Sequence, residues 1–96
     1  MRTHFLSSVA DQDIADVWQF IARDSIEAAD RMIDRFTATF GSLAQSPYLG
    51  QVYEHPRLEL RRFSVDKYAI FYRILDDAIV VVRILHGARN IDRLLE

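Results

Sequence analysis

Arginine is the residue type in this 96-residue chain whose chemistry and placement point most clearly to a binding surface. Eleven of the twelve basic residues are Arg, and one is Lys67. A guanidinium group binds carboxylate or phosphate through two parallel hydrogen bonds. Seven arginines fall in the second half of the chain: Arg57, Arg61, Arg62, Arg73, Arg83, Arg89 and Arg93. This half is therefore where the sequence predicts a surface for a partner that carries carboxylates or phosphates.

The net charge of −2 argues at first against a nucleic-acid partner, but the average hides an asymmetry. Residues 1–54 have a balance of −4, whereas residues 55–96 have a balance of +2. The chain therefore has an acidic half and a basic half, and the sign of the total says little about the partner.

Arg73 and Arg83 are the arginines that are hardest to explain as solvated residues, because each interrupts an otherwise apolar run. A buried charge is costly unless it is paired. Each side chain must therefore reach an edge, pair with a carboxylate, or face a groove that a partner fills. A two-residue turn at Asp76-Asp77 would place the two arginines on opposite faces, and a turn longer by one residue would place them on the same face. Both arrangements remain open.

No pattern in the sequence predicts a metal or a cofactor. The three histidines, His4, His55 and His86, are far apart and form no metal-binding motif. The absence of Cys excludes a disulfide framework, a thiolate zinc site and a cysteine nucleophile. The three glycines are scattered, so there is no Gly-rich phosphate loop. His86 alone has suggestive neighbours, because it lies beside Gly87 and near Arg89.

Apolar residues at steps of three and four predict two amphipathic helices that must position these side chains. The first begins at Ser7 or Ser8, either of which can cap a helix N-terminus. Its apolar face consists of Ile14, Val17, Trp18 and Ile21. The second has its stripe over 26–43 and ends at Ser46-Pro47, because the residue before Pro is disfavoured in a helix. The short connection predicts an antiparallel helical hairpin.

After residue 57 the pattern predicts strands rather than helices. The segment 46–57 has two prolines, a glycine and no period, and reads as a loop. The later elements are strands over 58–65, 68–75 and 78–85, with turns at 66–67 and 76–77, and a last helical turn over 91–95. With a short strand at 3–6, the layout is β-α-α-β-β-β. We expect a single α+β domain over residues 1–96, with the hairpin packed on an antiparallel sheet.

The chain has no apolar run near the ~20 residues that a membrane-spanning helix needs. Its first residues also lack the apolar core of a signal peptide. We therefore expect a cytoplasmic protein with no membrane partner.

Five stretches of the chain, 10–24, 28–33, 46–50, 60–73 and 82–89, resemble a known family. The sequences that carry the resemblance include Val17-Trp18-x-Phe20-Ile21-Ala22, Ser46-Pro47-x-Leu49-Gly50, Ile70-Phe71-Tyr72-Arg73 and Val82-Arg83-Ile84-Leu85-His86-Gly87-Ala88-Arg89. The set and its order resemble the ParE-type toxins of the RelE/ParE superfamily, over nearly the whole chain.

The resemblance implies the toxin of a bacterial type II toxin–antitoxin pair with the fold outlined above. Such toxins are neutralised by a small antitoxin whose tail wraps the toxin, so it implies a ParD-like antitoxin partner and a toxin–antitoxin hetero-oligomer. The ParE branch is known for poisoning DNA gyrase, and the RelE branch cleaves messenger RNA in the ribosome. A third alternative is a non-toxic member kept for complex formation.

The chemistry of RNA cleavage favours the ParE branch. Metal-free cleavage needs a general base, a general acid and cations for the charge that develops on the phosphate. Compared with RelE-type enzymes, this chain has Ala69 where a basic residue is often found, and Glu59 before Leu60-Arg61. No Tyr or His follows His86. We therefore expect a toxin that binds its target and is not an enzyme, with His86 as a less favoured stand-in base.

The basic side of the sheet and its exit are the predicted target-binding region. The residues are Arg61, Arg73, Arg83, His86 and Arg89. An acidic, amphipathic antitoxin tail is the expected complement of such a surface. The predicted antitoxin contacts are Phe5, Trp18, Phe40 and Leu94. Trp18 and Phe40 are also explained as core residues, and only their exposure would mark a groove.

Overall fold

The computed structural model describes residues 3–88 and 90–95, and its elements follow the predicted order with two additions, a short 3-10 helix and an edge strand. In chain order they are β1 (Thr3–Leu6), α1 (Ser8–Ala22), α2 (Ile26–Gln45), a short 3-10 helix (Pro47–Leu49), β2 (Gln51–Tyr53), β3 (Leu60–Val65), β4 (Tyr68–Ile74), β5 (Ala78–His86) and α3 (Ile91–Leu94). The α+β prediction and the helical hairpin are confirmed.

Serine caps begin both long helices. The backbone N–H of Ala10 donates to Ser7 Oγ at 3.0 Å, and that of Ala28 donates to Ser25 Oγ at 3.1 Å. Each hydroxyl satisfies one of the N–H groups that have no partner within the helix. The two caps fix where the hairpin starts and where it turns.

The five strands form one sheet in the order β1-β5-β4-β3-β2. The predicted antiparallel meander is confirmed for β3, β4 and β5, but β1 pairs parallel with β5. The sheet is therefore mixed. The helical hairpin carries the chain across the sheet after β1, so β1 lies beside β5, the last strand in sequence, and not beside β2.

The prediction that 46–57 is a loop is wrong for part of that segment. Pro47–Leu49 forms a 3-10 turn, and Gln51–Tyr53 pairs antiparallel with β3 as an edge strand. Three residues are too few for a period of two to appear in the sequence. The remaining stretch, 54–59, connects β2 to β3.

The sheet has an apolar core on each face. The hairpin packs on the first face, whose buried residues include Val17, Phe36, Phe40, Leu43, Tyr68, Ile70, Tyr72, Ile79 and Val81. A smaller cluster on the second face consists of Leu60, Ala69, Phe71, Leu85, Ile91 and Leu95. The second cluster includes α3, so both sheet faces carry a helical layer, but of very different size.

Candidate partner-binding surfaces

A β-bulge decides where the two strand arginines point. The β4–β5 turn has two residues, because Leu75 N–H donates to the Ala78 carbonyl and Arg73 pairs with Val80. That turn alone would put Arg73 and Arg83 on opposite faces. The register then shifts by one residue at Val82, so Arg83 pairs with Phe71. The bulge thus returns Arg83 to the face of Arg73.

Arg83 does not remain free on that face, because it forms a buried ion pair with Asp13 of α1. Arg83 Nε lies 2.8 Å from Asp13 Oδ2, and Nη2 lies 3.0 Å from Oδ1. Asp13 Oδ2 also accepts the backbone N–H of Ile84 at 2.9 Å, and Arg83 Nη1 donates to the Leu94 carbonyl at 2.9 Å. One ion pair therefore joins α1, β5 and α3.

The environment of this pair explains its geometry and its charge state. Asp13 is only 8% exposed, so its carboxylate depends on protein donors rather than water. The hydrogen bonds that Arg83 donates to the Asp13 carboxylate raise the pKa of Arg83 further above its ordinary value. The carboxylate completes two N–H bonds to the guanidinium and one to the backbone, which is the satisfied arrangement that a buried pair requires.

The sequence left open whether Arg83 pairs with a carboxylate, and the structure identifies buried Asp13 as its partner. Arg83 was predicted as a target contact, but its guanidinium forms hydrogen bonds within the protein, to Asp13 and to the Leu94 carbonyl. The signal that could have found Asp13 is its position on the buried face of α1, three residues after Ala10 and four before Val17.

A second polar network holds the corner between the 3-10 turn and β2. The Tyr72 hydroxyl donates to the Pro47 carbonyl at 2.6 Å and accepts the Gly50 N–H at 2.9 Å. Arg61 Nη1 donates to the Gly50 carbonyl at 2.6 Å. Its guanidinium lies 4.8 Å from the ring centroid of Tyr48, which is 70% exposed. The corner therefore presents a rigidly held cation and an exposed aromatic ring beside an open cleft of about 730 Å3.

Burial of Tyr72 gives a prediction for alkaline pH. Burial raises the pKa of Tyr72 above its ordinary value of 10.0, although the bond from Gly50 and the charge of Arg61 act in the opposite direction. The neutral hydroxyl is favoured in the folded state, so its contribution is complete below about pH 10 and is lost as pH rises through the folded pKa. We expect the free energy of unfolding to fall above pH 10, and to fall less in Tyr72→Phe. Urea titrations of both proteins between pH 8 and 11 measure this slope, and parallel curves would contradict it.

His86 lies at the end of β5, where its ring stands edge-on to Tyr68 with centroids 5.5 Å apart. Its Nδ1 accepts the Ala88 N–H at 3.2 Å. In the neutral ring the proton therefore sits on Nε2, and the lone pair that a general base would use is already engaged. This arrangement is that of a structural His86 side chain, fixed by a hydrogen bond to the backbone of the turn that follows it.

The predicted target residues do not converge on one spot. Arg61 lies at the corner beside β2, and Arg73 is exposed on the sheet face opposite to that of Arg61. Arg83 is held in its ion pair with Asp13, and His86 lies at the C-terminal end of β5. Arg89 lies outside the described residues. The basic half of the sequence is thus distributed over several surfaces of the sheet.

The four residues predicted to contact the antitoxin also differ in exposure and lie in different parts of the fold. Phe40 is 2% exposed and packs in the hairpin core, so it is not a surface contact in this fold. Trp18 is half-buried on the hairpin, and its Nε1 donates to Asp30 at 2.9 Å. Phe5 is 57% exposed on β1, and half-buried Leu94 lies at the second-face cluster.

His55 is a structural contact that the sequence did not single out. Its Nδ1 accepts the backbone N–H groups of Arg57 and Leu58 at 3.1 and 3.2 Å, and its Nε2 lies 3.3 Å from the Leu95 carbonyl. The ring therefore ties the 54–59 connection to the end of α3. The contact between His55 and Leu95 joins residues 40 positions apart, so it leaves no local pattern in the sequence.

Within residues 3–88 and 90–95, no cluster of three or more His, Asp or Glu side chains could hold a metal ion. In the same ranges, no helix is both long enough and apolar enough to cross a bilayer.

Comparison with known proteins places these surfaces in context. The family model described as the ParE toxin of the type II toxin–antitoxin system parDE matches residues 5–91. Toxin ParE3 of Caulobacter vibrioides is 30% identical over 91 residues, which cover 95% of this chain and 88% of that protein. Toxin RelE3 of the same organism is 31% identical over 88 residues, covering 91% and 96%. A chain of the chromosomal ParDE TA system from P. aeruginosa superposes with a TM-score of 0.73 at 15% identity, covering 90% of this chain and 96% of that one.

Proposed function

Because the chain belongs to the ParE toxin family of type II toxin–antitoxin systems, we propose that it inhibits DNA gyrase by binding and is neutralised by a ParD-like antitoxin. The match to the ParE family model over nearly the whole chain carries this proposal. The gyrase target is what likeness to the ParE branch implies. The antitoxin partner is supported by the solved ParDE system that the fold resembles.

The geometry of the basic residues supports binding rather than catalysis. RNA cleavage needs cations and an acid–base pair gathered around one phosphate. Here Arg83 is neutralised by Asp13, and the Nδ1 lone pair of His86 is engaged by its own turn. Ala69, where a basic residue is often found in RelE-type enzymes, is fully buried in the cluster that contains α3.

The 31% identity to toxin RelE3 favours a second candidate, a ribosome-dependent messenger RNA endonuclease. On that mechanism His86 would be the stand-in acid or base. Removing a general acid or base costs about 10²–10⁴-fold in rate.

A pair of assays tests the target. Purified chain is added to gyrase and relaxed plasmid, and we expect loss of supercoiling or accumulation of cleavage complexes. Adding the proposed ParD-like antitoxin should restore supercoiling, which serves as the control for specificity. The gyrase proposal fails if neither effect appears at toxin concentrations that arrest growth. The second candidate would be established if growth stops without any effect of the toxin on gyrase, and primer extension on translating ribosomes shows codon-linked cuts in the messenger RNA. Harmless expression without antitoxin would identify a non-toxic member.

The substitution His86→Ala separates binding from catalysis. If His86 is one contact among several, inhibition of gyrase should weaken by about tenfold or less. If His86 is catalytic, ribosome-dependent cleavage should fall by about 10²–10⁴-fold. Dose–response curves in the two assays measure the difference, and an unchanged melting temperature checks that the variant is folded.

A further inference from the structure

The outer side of β2 is an unprotected edge of the sheet. Among residues 3–88 and 90–95, no strand pairs with β2 on the side away from β3. Edge strands of soluble proteins are commonly protected from further pairing by Lys or Pro within the strand. The β2 sequence, Gln51-Val52-Tyr53, contains neither, and Val52 is 68% exposed. The edge is therefore open to pairing with another strand.

The register of β2 shows which backbone groups are free at this edge. Along an antiparallel pair, residues that direct N–H and C=O toward the neighbouring strand alternate with residues that direct them away. The Arg62 carbonyl faces β2, because it lies 3.0 Å from the position that a Cβ on Gly50 would occupy. Arg62 is therefore bonded to Gln51, its partner in the register. Val52 is the next residue, so its N–H and C=O point outward, where they can bind another strand.

Exposed apolar side chains flank the same edge. Tyr48 and Leu49 are 70% and 55% exposed, and they lie just before β2 in the chain. Arg61 holds its guanidinium against the Tyr48 ring. Aromatic residues and arginine are enriched at protein–protein interfaces. The composition of this corner therefore indicates a protein partner.

The charges beside the edge have both signs, which suits a second copy of the same chain. Glu54 and Glu59 line the same cleft as Arg61. None of these three side chains forms an ion pair with another described residue. A partner with charges of one sign would be attracted by some of these groups and repelled by others. A two-fold symmetric pair brings the patch against itself, so that an acid of one copy can meet a base of the other.

We propose that two copies of this chain associate by pairing their β2 strands antiparallel, with the two-fold axis at Val52. The N–H of each Val52 donates to the Val52 carbonyl of the other copy, and the two five-stranded sheets become one. The pairing brings the exposed Val52 side chains together. Tyr48 and Leu49 of each copy come to lie along the cleft wall formed by residues 54–56 of the other. The proposal depends on neither the gyrase target nor the antitoxin.

The register places opposite charges in contact across this interface. Val52 pairs with Arg61, so both side chains lie on one sheet face, and Glu54 follows on the same face two residues later. With Val52 at the axis, Glu54 of one copy lies opposite Gly50 of the other. Arg61 Nη1 is held at the Gly50 carbonyl at 2.6 Å. Glu54 of each copy therefore pairs with Arg61 of the other, and symmetry gives two such pairs per dimer.

Analytical ultracentrifugation of the purified chain tests the association. The measured mass should rise with concentration from the 11.2 kDa of one chain toward twice that value. Val52→Pro removes the outward N–H and leaves the β2–β3 bonds intact, because an edge strand accepts proline where the N–H faces solvent. We expect the Kd of dimerisation to rise about tenfold or more in Val52→Pro. Val52→Thr, the matched control, keeps the N–H and the β-branched shape and should change Kd by about threefold or less.

Exchanging the charges tests the register. In Glu54→Arg and in Arg61→Glu, each homodimer would contain two like-charge contacts, so we expect each to dimerise about tenfold more weakly. An equimolar mixture of the two variants restores both opposite-charge contacts and should dimerise within about threefold of wild type. The melting temperature of each variant checks that it is folded. A folding defect of either variant cannot produce recovery in the mixture.

Three results would overturn the proposal. The first is a mass that stays at 11.2 kDa up to about 1 mM, the range of weak association. In that case, weaker inhibition of gyrase by Val52→Pro would mean that the edge binds the target and not a second copy. The second is a dimer that Val52→Pro does not weaken, which would place the contact on another surface. The third is a mixture of folded Glu54→Arg and Arg61→Glu that remains monomeric.

Discussion

The substitution Asp13→Ala is expected to lower the free energy of unfolding by about 3–5 kcal/mol, the cost of removing one partner from a buried ion pair. It leaves the Arg83 guanidinium with only the Leu94 carbonyl, and it leaves the Ile84 N–H without an acceptor. Domains are stable by only about 5–15 kcal/mol, so the loss is a large share of the total. Urea unfolding at neutral pH measures it directly.

Asp16→Ala is the matched control, because Asp16 lies on the same helix three residues later and is exposed. We expect a change of about 0.5 kcal/mol or less there. Asp13→Asn should fall between the two, since it keeps an oxygen for Ile84 but loses the charge. Equal effects of Asp13→Ala and Asp16→Ala would mean that the Asp13–Arg83 pair contributes nothing beyond an ordinary surface acid.

The extent to which sequence predicts this fold follows from the range of the interactions involved. Helix periodicity, serine caps and two-residue turns are local, so the hairpin and the meander of β3, β4 and β5 were predicted correctly. The parallel pairing of β1 with β5 joins residues about 75 positions apart. The short strand β2 has too few residues to show a period. Neither leaves a signal in its own segment.

The surfaces were harder to predict than the fold, for the same physical reason. The sequence identified Arg83 as a charge that needed a partner, but the bulge at Val82 decided its face and Asp13 lay 70 residues away. Phe5 and Phe40 are both aromatic residues, yet one is exposed on an edge strand and the other is buried under it. Residue type predicts what a side chain can do, and only the tertiary arrangement decides whether a partner can reach it.

The substitution Gly50→Ala is the other change for which we expect a large effect, about 2–4 kcal/mol of destabilisation. The φ angle of Gly50 is −73°, so an alanine would meet no backbone strain. The cost arises from close approach, because a Cβ there would collide with the Tyr72 hydroxyl and lie 2.8 Å from Tyr72 Cε1 and 3.0 Å from the Arg62 carbonyl. Overpacking of this kind costs about 1–3 kcal/mol, and displacing the hydroxyl adds the loss of its two hydrogen bonds.

A double-mutant cycle with Tyr72→Phe tests this cause. The single change Tyr72→Phe leaves the Pro47 carbonyl and the Gly50 N–H unpaired, and should cost about 1–3 kcal/mol. Because the phenyl ring lacks the colliding oxygen, Gly50→Ala should cost about 1 kcal/mol less in that background. Gly41→Ala is the control, since a Cβ at this α2 position has no neighbour within 4 Å and should stabilise the helix by about 0.5–1 kcal/mol. Additive effects of Gly50→Ala and Tyr72→Phe, measured by urea unfolding, would contradict the collision with the hydroxyl. Coupling would establish that glycine is required in the Ser46-Pro47-x-Leu49-Gly50 stretch because it leaves room for one buried tyrosine.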